Sequence, residues 1–439
     1  MTRLNVSEIG ITSAIDSPGR NNTRVVPYYV KGLALGIPIY FVAIHLWAWV
    51  LIAPHFTRRN DFRQFYAAAY MMRTGHAREL YDFDEQRAFE DRLVSRESIE
   101  RELPFVSPAY DAALFVPFTF FGYRAGYMLF IGLNITLLGL CLYLLRFHTQ
   151  GLRTIYKWLP LAIVFGFYPI GWTLILGQDS ILLTADLLFV YCLLQRGRDT
   201  AAGVVMAFAL FKFQIVLPIA LLFLLWKRFN IIKGFILSAL VLGGISVWLT
   251  GTAQAKLYAQ SLLTIGSLHH TTTGMAQHAV LWQMMPNLNG VTVALLGGML
   301  SNRWLVIITA LASILTIAIT ARLGYYLQSA ATLLLLSIPN AVLVGYHTYI
   351  HDLSPLLLPV LILLNELLPH EGGGSIRKEM VGRLAALMFV APVINSFFPN
   401  HTYIVALPVA GLIVALIALT GTRKTASDCG DCLSQPSFA

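Results

Sequence analysis

Apolar runs and short polar connections alternate along residues 34–420. A run of about 17 to 25 apolar residues is long enough to cross ~30 Å of hydrocarbon as a helix. Such runs occur at 34–53, 123–146, 158–176, 179–195, 231–250, 303–322, 329–345, 352–369, 380–397 and 403–420. The stretch 199–226 is too long for one simple span and is interrupted by Lys212, which predicts two short helices, 199–211 and 213–226, meeting near one membrane face. Two further apolar stretches, 109–121 and 286–300, are short and bounded by Pro or Gly, and read either as complete spans or as re-entrant segments. The pattern predicts an all-α, polytopic integral membrane protein of about twelve transmembrane helices.

The polar stretch 54–110 follows the first span. Within it Phe62, Phe65, Tyr66, Ala69 and Tyr70 recur at helical spacing and line one face, so this helix is expected to lie along the membrane interface. Asp84 is positioned to cap a second helix carrying Ala88, Phe89 and Leu93. If 109–121 and 286–300 are re-entrant, the basic connections Arg146 to Lys157, Arg196 to Arg198, Lys227 to Lys233, Arg322, Arg377 to Arg383 and Arg423-Lys424 all fall on the side of the N-terminus. The positive-inside rule makes that side cytoplasmic. The chain then divides into a cytoplasmic N-terminal segment 1–33, a transmembrane catalytic domain 34–420 and a cytoplasmic tail 421–439. The loop 54–110, the 177–180 connection, Lys212, the region 251–302 and the 346–352 connection share the external face. No apolar run precedes a small-residue cleavage site in 1–33, so the first span is expected to be retained.

Composition agrees. With 57% hydrophobic and 12% charged residues and a mean hydropathy of +0.67, the chain is too apolar for a solvated globular protein, in which about 25% of residues are charged. The net charge of +9 sits in short connections between spans, so it reads as orientation and not as a nucleic-acid footprint. Cys141 and Cys192 lie in apolar spans, while Cys429 and Cys432 form one C-x-x-C in the tail. A single pair is a weak metal or redox signal beside the alternative of two incidental thiols. His269, His270 and His278 match metal-ligand spacing only loosely. No metal and no cofactor is expected.

Several polar residues stand where chemistry is feasible. Asp61 heads the polar stretch just beyond the first span, and a carboxylate held at a membrane surface suits a general base. Asp61, or Asn60 beside it, is also placed to N-cap the helix that follows. Lys212 puts a cation in an apolar run at a cost of ~2.5 to 3.5 kcal/mol near the membrane centre; it either faces an interior cavity, with a lipid phosphate as natural partner, or snorkels to the headgroups. His351 can donate a hydrogen bond to a departing phosphate or pair structurally with Asp352, and His347 is the second candidate. Gln178 and Asp179 join two spans on the same face and either contact sugar hydroxyls or form a tight polar turn. Tyr66, like Phe65, offers a ring on which a sugar can stack.

The Asp just after the first helix is followed by Gly75…Leu80-Tyr81-Asp82, Pro104-Phe105…Pro108 and Pro117, then Gly177-Gln178-Asp179-Ser180, Arg196-Gly197-Arg198 and Ala202-Gly203 leading to Phe211-Lys212-Phe213-Gln214. In this order and spacing the chain resembles glycosyltransferase family 87 over most of residues 30–420. The resemblance implies a bundle of the GT-C class that transfers mannose, or a related sugar, from a polyprenyl monophosphate carrier to a lipid or cell-envelope glycan on the non-cytoplasmic face, in a bacterial plasma membrane. It makes Asp61 the counterpart of the family's catalytic Asp, sets a His or His/Asp element near His347 and His351, and matches an Asn-rich element to Asn287-Leu288-Asn289-Gly290, although a Ser common there is absent. Inversion at the anomeric carbon is expected, with Lys212 and His351 at the donor phosphate and Gln178, Asp179, His347 and Tyr66 among the groups contacting donor or acceptor. The partners so implied are the lipid-linked sugar, the acceptor and membrane lipids. The rival readings are a lipid-linked glycan ligase or polymerase, and a lipid or sugar flippase.

Overall fold

A computed structural model of the protein describes residues 28–56, 60–94, 104–265, 282–367 and 376–431, and in these the chain is all-helical. Among them seven helices are long and apolar enough to cross a membrane: Gly32–Leu51, Tyr123–Phe147, Asp199–Leu225, Phe229–Thr250, Asn302–Gly324, Met380–Phe397 and Pro399–Ala418. The pair Leu159–Gly166 and Tyr168–Leu176 is long and apolar enough when taken together, but is bent by 57° at its break. The apolar helices Ala109–Phe120, Ser180–Gln195, Ala330–Val344 and Ile350–Asn365 are shorter. Beside the expected count of about twelve, the described residues thus hold seven long apolar helices, one bent pair and four shorter apolar helices. The protein is an integral membrane protein, and the outer helices expose their apolar faces: Leu311, Ile314 and Leu315 are each at least 60% accessible. Ser180–Gln195 and Ala330–Val344 lie at the centre, mostly buried.

The bend in the paired span has a local cause. Phe167 leaves the helical region at φ −67°, ψ 112°, as the residue two before Pro169, and Gly166 on the other side lets the helix rest on the backbone of Pro38, where a side chain would stand 2.7 Å from the Pro38 carbonyl oxygen.

The Asp199–Leu225 stretch is long enough for one span, yet its neighbours show that it folds back. Its beginning packs backbone to backbone on the beginning of the next helix, with the Gly203 position against the Ile231 carbonyl and the Gly234 position against that of Thr200. Its end returns to the same level before Phe229, where the Trp226 indole donates to the Ala321 carbonyl at 2.9 Å. Between these ends the helix Asp199–Phe208 gives way to a tight 3-10 turn, Ala209–Lys212, and Lys212 leaves helical geometry at φ −113°, ψ 53° before Phe213–Leu225 begins. The two short helices expected on either side of Lys212 are present, and Lys212 stands at their junction.

The polar segment after the first span folds into a layer with its own core. The helix Phe62–Arg73 carries the expected stripe, but Phe62, Phe65, Tyr66 and Ala69 are buried in protein instead of lying on an interface. They pack among Phe105, Phe115, Tyr127 and Phe130, with Phe65 stacked on Phe115 at 4.7 Å between ring centres. The opposite face is covered as well: Arg63, 2% exposed, pairs with Glu90 at 3.5 Å. Binary pattern located the helix, whereas covering both faces needed partners from residues 80–130. The second helix, Phe83–Val94, is capped two residues earlier than expected. Asp82 Oδ1, not Asp84, accepts from the backbone N–H groups of Asp84 and Glu85 at 3.1 and 3.3 Å.

Candidate active site

Four chain segments converge at the membrane level of the Lys212 turn. Asp61 stands at the N-cap position of Phe62–Arg73, yet its side chain makes no cap hydrogen bond; Asn60 is occupied elsewhere, its Oδ1 accepting from the Tyr123 hydroxyl at 2.5 Å. The Asp61 carboxylate is thus free to turn inward. Gln178 and Asp179 sit in the turn between Tyr168–Leu176 and Ser180–Gln195. That turn depends on Gly177, which has φ +66°, a conformation that costs an L-residue roughly 1–2 kcal/mol. The glycine also lets the turn lie against the start of the Asp61 helix, because a Cβ there would stand 2.8 Å from Phe62 Cβ and 3.0 Å from Tyr127.

The fourth segment is the loop after Ala330–Val344. Two asparagines clamp it: Asn287 Nδ2 donates to the Gly345 carbonyl at 2.6 Å and to Thr348 Oγ1 at 2.7 Å, and Asn289 Nδ2 donates to the Tyr346 carbonyl at 3.1 Å. The Asn-rich element noted in the sequence thus holds the histidine loop. Beyond it the backbone enters the 3-10 helix Ile350–Leu356, where Asp352 Oδ2 accepts from the Tyr349 N–H at 3.0 Å.

One connected network results. Gln178 Nε2 donates to Asp61 Oδ2 at 2.7 Å, and Lys212 Nζ donates to Gln178 Oε1 at 3.2 Å. The same ammonium pairs with Asp179 Oδ1 at 2.9 Å and Asp352 Oδ1 at 3.1 Å. Ser180 donates to Asp352 Oδ1 at 3.3 Å, and His351 Nε2 lies 3.4 Å from Asp352 Oδ2. His351 also interacts electrostatically with Asp61, Asp179 and Lys212. Of the residues singled out in the sequence, Asp61, Gln178, Asp179, Lys212 and His351 are brought together here. His347 borders the group, coupled to Asp352, Lys212 and His351, with its ring edge-on to Tyr349 at 4.8 Å. Burial pushes its imidazole down to about 4, so it is uncharged at neutral pH. Tyr66 is not part of the network: its ring lies in the aromatic layer and its hydroxyl donates to the Phe121 carbonyl at 2.6 Å.

Two carboxylates were not singled out. Asp352 was seen only as a partner of His351 and proves to be the residue that ties Lys212, Ser180 and His351 together. Asp111, in Ala109–Phe115, is wholly buried beside Ser107 and interacts electrostatically with Asp179 and Lys212. The signal for it was in plain view, since an acid inside the apolar run 109–121 is as anomalous as Lys212 in its own. Among the described residues no group of three or more His, Cys, Asp or Glu is arranged to hold a metal ion. His269, His270, His278 and the side chains of Cys429 and Cys432 lie outside the described residues.

Carboxylates outnumber cations in this site: the one lysine donates to Gln178 and stands at ion-pair distance from both Asp179 and Asp352. What the arrangement offers a ligand is a set of acceptors beside one fixed positive charge, which suits a molecule rich in hydroxyl donors.

No curated protein matches the chain. No solved structure matches it. The sequence model of glycosyltransferase family 87 does match, over residues 105–345, a stretch that holds Asp111, Gln178, Asp179 and Lys212 and ends a few residues before His351. Asp61 precedes it and is tied to it through Gln178. That match spans more than half of the chain, and the chain therefore belongs to glycosyltransferase family 87.

Proposed function

We propose that this glycosyltransferase moves a sugar, mannose or a close relative, from a polyprenyl monophosphate to a lipid or cell-envelope glycan, on the external side of a bacterial plasma membrane. The observation that carries the reading is the contact between Asp61 and the buried Gln178–Lys212 network at the membrane level of the Lys212 turn. Asp61 takes the proton of the acceptor hydroxyl as its oxygen attacks the anomeric carbon. The bond from that carbon to the phosphate oxygen breaks on the opposite face, the electron pair leaves with the lipid phosphate, and the configuration inverts. His351 donates to the leaving phosphate and Lys212 lends it the field of a charge fixed in place.

Charge balance favours a monophosphate donor. Asp61, Asp179 and Asp352 share one lysine, so a donor with a single phosphodiester charge is tolerated better than a pyrophosphate or a nucleotide sugar. A ligase or polymerase would instead release polyprenyl pyrophosphate. Sugar hydroxyls, as donors, find acceptors in the same carboxylates.

The test is transfer of radiolabel from polyprenyl-phosphate mannose to membrane lipid acceptors by the purified protein. A positioned base contributes roughly 10²- to 10⁴-fold, so Asp61→Asn should lower turnover by that range with free polyprenyl monophosphate as the lipid product. Equal turnover by the variant removes Asp61 as base, and absence of transfer from every polyprenyl-phosphate sugar offered sinks the proposal.

A further inference from the structure

The orientation of the Gln178 amide has one answer. Lysine can only donate hydrogen bonds, so the Gln178 atom 3.2 Å from Lys212 Nζ is the carbonyl Oε1, and the amide nitrogen is turned toward Asp61 at 2.7 Å. Amide ends are assigned from their bonding network, and here the network begins at a lysine that has no alternative. Lys212 is itself immobilised by Asp179 and Asp352. A fixed cation thus sets the amide, and the amide presents an N–H to one oxygen of Asp61.

We infer that Gln178 is a positioning residue for Asp61, through which Lys212 commits Oδ2 as a hydrogen-bond acceptor and leaves Oδ1 to receive the proton of the acceptor. The inference rests on Asp61 as the base of the proposed reaction and changes what Gln178 is for. Its first duty is to the carboxylate, and one of its two amide hydrogens remains for a substrate hydroxyl. The geometry around it supports the role. Gln178 is 6% and Lys212 8% exposed, so the bonds are shielded from water. Phe62, the residue after Asp61, is wedged against Gly177, the residue before Gln178, which fixes the two backbones relative to each other. Asp61 has no helix-cap bond competing for its side chain. A carboxylate given a donor is stabilised in its charged form, and one facing a second acceptor is not.

The charged and titratable groups coupled to Asp61 are His351, from the Ile350–Leu356 segment, and Tyr123, from the helix Tyr123–Leu144, with Lys212 reached through Gln178. The test reads the hydrogen bonding of the Asp61 carboxylate directly, by infrared difference spectroscopy of the purified full-length protein at neutral pH. The Asp61 carboxylate bands are identified as those lost in Asp61→Asn. Gln178→Met removes the donor but fills much of the same space, and the splitting between the antisymmetric and symmetric stretches of Asp61 should shift as Oδ2 loses its partner. A role confined to packing leaves those bands where they are in the wild type. Unmoved bands overturn the inference even where Asp61→Asn abolishes transfer, whereas shifted bands with full turnover by Asp61→Asn overturn the assignment of the base and leave the positioning intact. If Gln178→Met does not fold, Gln178→Leu makes the same comparison.

Discussion

Lys212 shows how single residues decide this site. A buried lysine beside one carboxylate would be a pair; beside Asp179, Asp352 and Gln178 it becomes a hub that joins three chain segments. His347 gives the residue scale a second test. Its folded value of about 4 lies below the ordinary value near 6.5 of an unfolded chain. The unfolded state therefore binds the proton first, and stability is fully present above pH ~6.5 and is lost as pH falls toward ~4. Thermal unfolding of the detergent-solubilised protein should show a midpoint falling across this window, and His347→Gln should flatten it; an unchanged slope would dismiss His347 as the cause. At this scale the sequence was informative wherever an ionisable residue broke an apolar run or adjoined one, as Asp61 and Lys212 do. Asp111 obeys the same rule, standing inside the apolar run 109–121. Tyr66 could not be placed, since aromatic spacing gives the face of a helix but not the neighbour of a hydroxyl.

At the scale of elements, the site depends on how closely two short segments can approach. Gly177 serves twice, by its left-handed backbone and by the missing side chain against Phe62. Gly177→Ala should cost roughly 1–2 kcal/mol from the backbone alone and force the Asp61 helix away from the 177–179 turn. Transfer activity should then fall by more than stability does, measured as turnover against unfolding midpoint at matched folded fraction. Parallel losses would mean that the glycine only supports the fold. The Lys212 turn was legible because a charge interrupts 199–226, and the Phe62–Arg73 helix because its apolar positions repeat at helical spacing. What the stripe packs against was not legible. A row of aromatics reads the same whether it meets headgroups or other aromatics, and here Phe105, Phe115 and Phe130 arrive from tens of residues away. The cap at Asp82 was missed for a simpler reason: both Asp82 and Asp84 are good caps, and only the entry angle of the chain chooses between them.

For the whole molecule, the separation of its two ends is the property most open to measurement. The layer containing Phe83–Val94 lies with the site, while Arg198 follows the far end of the central helix Ser180–Gln195. Ala88 and Arg198 are both exposed. In a variant without the tail cysteines, Ala88→Cys should react with an impermeant thiol reagent on intact cells and Arg198→Cys only after permeabilisation. The opposite result would invert the proposed orientation. The class of protein, most of its helices and the turn at Lys212 were foreseeable from hydropathy. The bend at Phe167 was not, because the apolar run 158–176 continues through it unbroken.

The partners of Lys212 have a bearing on biogenesis. Translation delivers Asp179 before the lysine, but Asp352 only 140 residues after it. During most of synthesis the ammonium has one carboxylate for company, at the junction of two apolar helices where a bare cation is costly. The helices of the second half are therefore not additions to a finished amino-terminal unit. Their arrival completes the electrostatic neutralisation of the first half, and a nascent chain that stalls before residue 352 is left with a charge it has not yet learned to hide.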